Sequence, residues 1–75
     1  MNCSDMDIDW VDGFYIKVRV DDKGAVVISA NKEGLLSLAG QLTTLANRET
    51  KGAHIHYDEY NSLEDGSTEL IIEKI

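Results

Sequence analysis

FYIKVRVDDKGAVVISAN, residues 14–31, runs out as a strand, turns and comes back. Phe14, Ile16, Val18 and Val20 point one way, and Tyr15, Lys17 and Arg19 the other. That two-residue period belongs to a half-buried strand. In the DDKG that follows, Gly24 can take the positive φ a short hairpin needs. AVVISA, residues 25–30, is then the return strand, and the hairpin anchors the reading of the rest of the chain.

The period changes to that of a helix after Asn31, an N-cap whose side-chain oxygen can accept the first free helical amides. Leu35, Leu38, Ala39, Leu42, Leu45 and Ala46 recur at helical spacing and form an apolar stripe. Gly52 is expected to end the helix, with Lys51 near the negative end of its dipole. Gly34 and Gly40 each cost the helix roughly 0.5–1 kcal/mol relative to Ala. Glycine at such positions implies that something packs close to the backbone. Beyond the helix, AHIHYDE (53–59) reads as a third strand with Ile55 and Tyr57 inward. YNSLEDGST (60–68) is a loop with Leu63 as its anchor, and ELIIEKI (69–75) is a fourth strand. Leu70 and Ile72 share one face of that strand, Ile71 and Ile75 the other, as in an interior strand or one covered by another subunit. The expected fold is α+β and two-layer: a four-stranded, mainly antiparallel sheet in the order β-β-α-β-β, with one helix on one face.

On the N-terminal side, residues 1–12 form an acidic arm or a short edge strand, leaving 13–75 as a single α+β domain. The alternation from Asp5 to Trp10 has a strand period, and Trp10 favours docking because a large exposed ring forgoes its burial energy. At 75 residues a single core supplies about 3–5 kcal/mol without help, so a homodimer or a bound partner is one route to stability. Cys3 is the only cysteine, which excludes an internal disulfide and suits a reducing compartment. MNCSDMDIDWVDG lacks the basic and apolar regions of a signal peptide. The apolar runs are too short to span a bilayer, so a cytoplasmic location is expected.

The chain carries 14 acidic residues against 7 basic ones, a formal net charge of −7. Phosphate backbones and anionic membrane surfaces repel such a chain, which excludes nucleic acid and membrane as direct partners. A basic protein surface suits it, although many small proteins are acidic only to stay soluble. Asp58, Glu59, Glu64, Asp65 and Glu69 cluster in the last third with Tyr60 among them. Carboxylates that steer an encounter, beside a ring that fills a pocket, make a candidate partner-binding surface. Taken singly, each of these acids reads first as a solubilising or turn-forming residue; taken as a cluster, the two readings are about even.

HIHYDEY, residues 54–60, also raises metal binding. His54, His56 and Asp58 are expected to share the uncovered face of the sheet with Tyr15, Lys17 and Arg19. Two imidazoles about 6.6 Å apart along a strand can converge on one ion. A third ligand of the same kind is missing, so two histidines on a wet face is the favoured reading and no metal or other cofactor is assigned. A small regulatory or metal-responsive module using His54 and His56 is the alternative function. The chain lacks a G-x-S-x-G elbow, a phosphate-cradling glycine loop and an H-E-x-x-H motif, and a one-helix domain leaves little room for a deep pocket. It is not expected to be an enzyme.

NKEGLLSLAGQLTTLA (31–46) and HIHYDEYNSLEDGSTELIIEKI (54–75) together resemble the immunity protein 32 family of bacterial polymorphic toxin systems. The resemblance rests on E-G-L-L-S-L-A at Glu33 to Ala39, on D-E-Y at Asp58, Glu59 and Tyr60, and on L-E-D-G-S-x-E-L-I-I-E from Leu63 to Glu73. It covers about the last three-fifths of the chain plus the preceding hairpin, and not residues 1–12. It implies a protein that neutralises a cognate toxin by binding and occluding it, without a cofactor. An acidic inhibitor suits a toxin with a basic, nucleic-acid-cleaving surface. The resemblance carries no residue-level toxin contacts.

Overall fold

A computed structural model describes residues 9–75; the strand period expected from Asp5 onward falls largely outside them. The element order is β1 (Ile16–Val20), β2 (Val26–Ala30), α1 (Lys32–Ala46), β3 (His54–Tyr57) and β4 (Leu70–Glu73). This is the expected β-β-α-β-β succession in an α+β fold. No helix among the described residues is long and apolar enough to cross a membrane.

β1 and β2 pair antiparallel with Ile16 opposite Ala30, Val18 opposite Ile28 and Val20 opposite Val26. Their turn is built by Asp21, whose Oδ1 accepts from the amides of Lys23 and Ala25 at 2.9 Å each. Gly24 closes it at φ 85°. Ile16 and Val18 are fully buried, whereas Val20 at the hairpin's far end is half exposed.

The single four-stranded sheet is not formed. β3 and β4 make a separate antiparallel pair, with Ile55 opposite Ile72 and Tyr57 opposite Leu70. The free edge of β1 is met instead by the segment leading into β4. Glu64 N donates to the Ile16 carbonyl at 2.9 Å and Thr68 N to the Val18 carbonyl at 2.7 Å. Between them the chain turns through Gly66 at φ 86°, with Ser67 N bonded to the Glu64 carbonyl at 3.1 Å. That turn interrupts any regular ladder, and Val18 N donates to Ser67 Oγ at 3.1 Å rather than to a backbone carbonyl. A side chain thus satisfies a buried amide that a strand would otherwise have paired.

Asn31 fixes the helix to the hairpin. Its Oδ1 accepts from Gly34 N at 2.7 Å as an N-cap and from Tyr15 N at 3.0 Å, while its Nδ2 donates to the Gly13 carbonyl at 2.9 Å. Gly34 then lies against β1. A Cβ there would stand 2.4 Å from the Tyr15 carbonyl oxygen and 3.0 Å from Ile16 Cγ1, so only glycine fits. The close packing expected of Gly34 is found. Nothing lies within 4 Å of a Cβ built on Gly40, and the same expectation fails there.

The expected helix stripe is rotated. Gly34, Ser37, Leu38, Gln41 and Leu45 are buried, while Leu35 and Leu42 are 55% and 41% exposed and Ala39 and Ala46 face solvent. With about 100° between successive residues, docking Gly34 on β1 turns positions 37, 38, 41 and 45 inward and carries Leu35 away. The polar residues drawn in are paired. Ser37 Oγ accepts from Val11 N at 2.8 Å, and Gln41 accepts from the Tyr57 hydroxyl at 2.7 Å and donates to the Asp9 carbonyl at 3.0 Å. Through Gly34 and Gln41 the helix therefore touches both strand pairs.

The helix ends earlier than expected. Asn47, not Gly52, is the C-cap, and no basic residue occupies the last turn. Lys74 supplies the cation from the far end of the chain: its Nζ donates to the Ala46 carbonyl at 2.9 Å and also to that of Arg48. Gly52, at φ 87°, shapes the turn into β3. Lys51 lies five positions beyond Ala46, past the end of the helix.

The core consists of Ile16, Val18, Leu38, Leu45, Ala53, Ile55, Tyr57 and Leu63. Trp10 packs against it, stacked on Phe14 with ring centroids 4.3 Å apart and edge-on to Tyr57 at 6.2 Å. The expected docking of Trp10 is therefore present. β4 is not an interior strand, since it pairs with β3 alone; Leu70 and Ile72 face the core, and Ile71 and Ile75 are exposed.

Candidate functional site

The connection from β3 to β4 carries most of the expected partner-binding residues, and Asp58 organises it. Asp58 Oδ1 accepts from Tyr60 N at 2.9 Å and Asn61 N at 3.0 Å. Its carbonyl accepts from Ser62 N at 3.1 Å and Leu63 N at 2.9 Å. Asn61 Nδ2 donates back to the His56 carbonyl at 3.0 Å, closing a compact turn from short polar side chains. Leu63 then enters the core, 5% exposed, and the Glu64 and Thr68 amides join β1 as described. Glu59 reaches across the loop and accepts from Gly66 N.

This scaffold places the six candidate residues as follows. Glu59, Tyr60, Glu64, Asp65 and Glu69 are exposed, Tyr60 at 95%, and Asp58 is half-buried. Buried apolar groups and backbone bonds hold the loop, while its charged and aromatic tips stay in water. Lys17 lies beneath it, with Nζ 3.7 Å from the position of a Cβ on Gly66.

The broad wet face expected to join His54, His56 and Asp58 with Tyr15, Lys17 and Arg19 does not exist as one sheet, because β1 and β3 belong to different strand pairs. The two histidines also part company. His54 Nδ1 is 3.4 Å from the Gly52 carbonyl oxygen. His56 Nε2 is in direct contact with Glu69 Oε2 and 3.8 Å from Asp58 Oδ2. Sequence spacing along one strand brings His56 and Asp58 to one side but cannot reveal Glu69, whose place depends on the pairing of β3 with β4.

Where residues 9–11 lie along the helix, Asp9, Val11, Leu36, Ser37, Gly40, Gln41 and Thr44 line a shallow groove.

Fold and site together define a small α+β domain whose accessible chemistry is a pinned, carboxylate- and tyrosine-bearing surface. The chain belongs to the immunity protein 32 family, whose model matches residues 25–75. The match starts at the return strand of the hairpin, so β1 and the residues before it lie outside, a shorter span than the resemblance in the sequence suggested. No curated protein and no solved structure gives a significant match.

Proposed function

We propose that this protein neutralises a cognate toxin of a bacterial polymorphic toxin system by binding and occluding it, with no chemistry of its own. The contact surface is the acidic loop with Asp58, Glu59, Tyr60, Glu64, Asp65 and Glu69. Membership of an immunity family supports a toxin as partner. The observation that carries the choice of surface is that these tips project from a backbone tied to β1 at Glu64 and Thr68 and anchored by Leu63. A surface ordered before binding avoids much of the entropic cost of ordering it in the complex. Tyr60 offers a large ring of few rotamers to a pocket on the partner, and rings of this kind dominate interface energetics.

The net charge of −7 attracts basic surfaces at long range. A toxin that cleaves nucleic acid needs such a surface to hold phosphates, and an acidic inhibitor competes for the same field. The charge supports that toxin class, and the lone cysteine supports action in the reducing cytoplasm.

The test uses the toxin encoded beside this gene. The parent chain should inhibit it stoichiometrically and bind it in calorimetry. Glu64→Lys with Asp65→Lys, and separately Tyr60→Ala, should each weaken binding at least about ten-fold. The affinity of the parent should also fall as salt rises. Unaltered affinity in both variants, with melting curves like the parent's, would remove this surface from consideration.

A further inference from the structure

We propose that His56, Asp58 and Glu69 form a binding site for a divalent transition-metal ion of the zinc class. The site follows from strand geometry. Side chains two apart on a strand share a face, which sets His56 and Asp58 together. In the β3–β4 register His56 faces Ile71 and Tyr57 faces Leu70, so the next step sets Glu69 opposite Asp58 on that same outer face. A ring nitrogen of His56 and one carboxylate oxygen each from Asp58 and Glu69 consequently lie within 4.8 Å of one another.

The donor set is chemically selective. One imidazole with two carboxylates suits zinc and its first-row neighbours, which bind nitrogen and oxygen at about 2.0–2.2 Å. Calcium and magnesium prefer six or more oxygens and gain little from an imidazole. The donors are also oriented. Asp58 Oδ1 is engaged by the amides of Tyr60 and Asn61, so its Oδ2 is the oxygen turned toward His56. Fixing one carboxylate oxygen from behind is the arrangement that orients metal ligands in general. His56 and Glu69 are 36% and 59% exposed, which leaves both free to shift from their mutual contact onto an ion between them. Three protein ligands leave a tetrahedral position open to solvent. His54 takes no part, with its ring turned to the Gly52 carbonyl.

The experiment needs no toxin, so its failure and a failure of the occlusion reading are separate events. Zinc is titrated calorimetrically into the untagged, chelator-treated full chain at neutral pH, and cobalt(II) is followed by its visible absorption. One ion per chain should bind with a Kd of about micromolar or tighter, and calcium and magnesium should not compete. His56→Ala and Glu69→Gln should each weaken zinc at least about ten-fold, whereas His54→Ala and Cys3→Ser should stay within about two-fold. Glu69→Gln, being isosteric and exposed, serves if His56→Ala does not fold. Absence of saturable zinc binding, binding that survives Glu69→Gln, or binding lost in Cys3→Ser would each overturn the proposal. The first outcome leaves the contact of His56 with its two carboxylates as a structural one only.

Discussion

Two acidic turns in this molecule begin with the same chemistry and end differently. In the hairpin, Asp21 Oδ1 accepts from the amides of Lys23 and Ala25. Between β3 and β4, Asp58 Oδ1 accepts from those of Tyr60 and Asn61. Each connection also uses a glycine at positive φ: Gly24 at 85° within the hairpin turn, and Gly66 at 86° in a further turn a few residues beyond Asp58. The hairpin turn then simply returns the chain, and a Cβ on Gly24 would meet nothing within 4 Å. The second turn buries Leu63, bonds to β1 at Glu64 and Thr68, and presents Tyr60 and its carboxylates outward. Local turn chemistry is therefore common to a plain connection and a candidate interface. Long-range anchoring separates them.

Removing that anchor is the harshest way to break the comparison. Leu63→Ala should destabilise the domain by about 2–5 kcal/mol, read as a lowered urea midpoint, whereas Lys23→Ala in the hairpin turn should stay within about 0.5 kcal/mol. Leu38→Ala should match Leu63→Ala, while Leu42→Ala, half in water, should cost about 1 kcal/mol. Equal losses at Leu38 and Leu42 would mean that the helix is rotated differently about its axis.

The glycines give a milder contrast. Gly24→Ala and Gly66→Ala both force a side chain into left-handed backbone at about 1–2 kcal/mol, and thermal melts should show similar shifts. Only Gly66→Ala should also weaken toxin binding, because only that turn holds the proposed surface. If both variants bind like the parent, the rigidity of the second turn is irrelevant to recognition.

Charge reversal is the gentlest probe of the fold and the sharpest of the surface. Asp22→Lys and Glu64→Lys are both exposed changes that should move stability by no more than about 0.5 kcal/mol. The first should leave toxin affinity nearly intact, and the second should reduce it. Equal losses would point to net charge as the determinant, rather than a located patch.

Much of this was legible in the chain itself. The alternation of residues 14–20, the DDKG turn and the Asn31 cap lead to β1, β2 and the start of α1, because each depends on residues a few positions apart. Ile55, Tyr57 and Leu63 were recognisable as inward residues by the same means. The helix face is not legible in the same way, because Leu35 and Leu42 fit an apolar stripe as well as Leu38 and Leu45 do. The choice among faces was made by Gly34 meeting the Tyr15 carbonyl, a contact between distant residues. Lys74 as the cation at the end of α1 was equally invisible, since 28 positions separate it from Ala46. At the candidate site the acids and Tyr60 could be read as exposed, while Glu69 beside His56 could not, since their meeting needs the β3–β4 register.

By itself the sequence determined an acidic chain, five elements in a definite order, the helix N-cap, the hairpin turn and membership of an immunity family. Tertiary structure alone decided that the strands form two pairs rather than one sheet, which side of the helix is dry, and which carboxylates meet His56. The division has a physical cause. Periodicity, capping and turn formation are interactions within about one turn of backbone, whereas helix rotation and strand pairing are chosen by the packing of segments that the linear order keeps far apart.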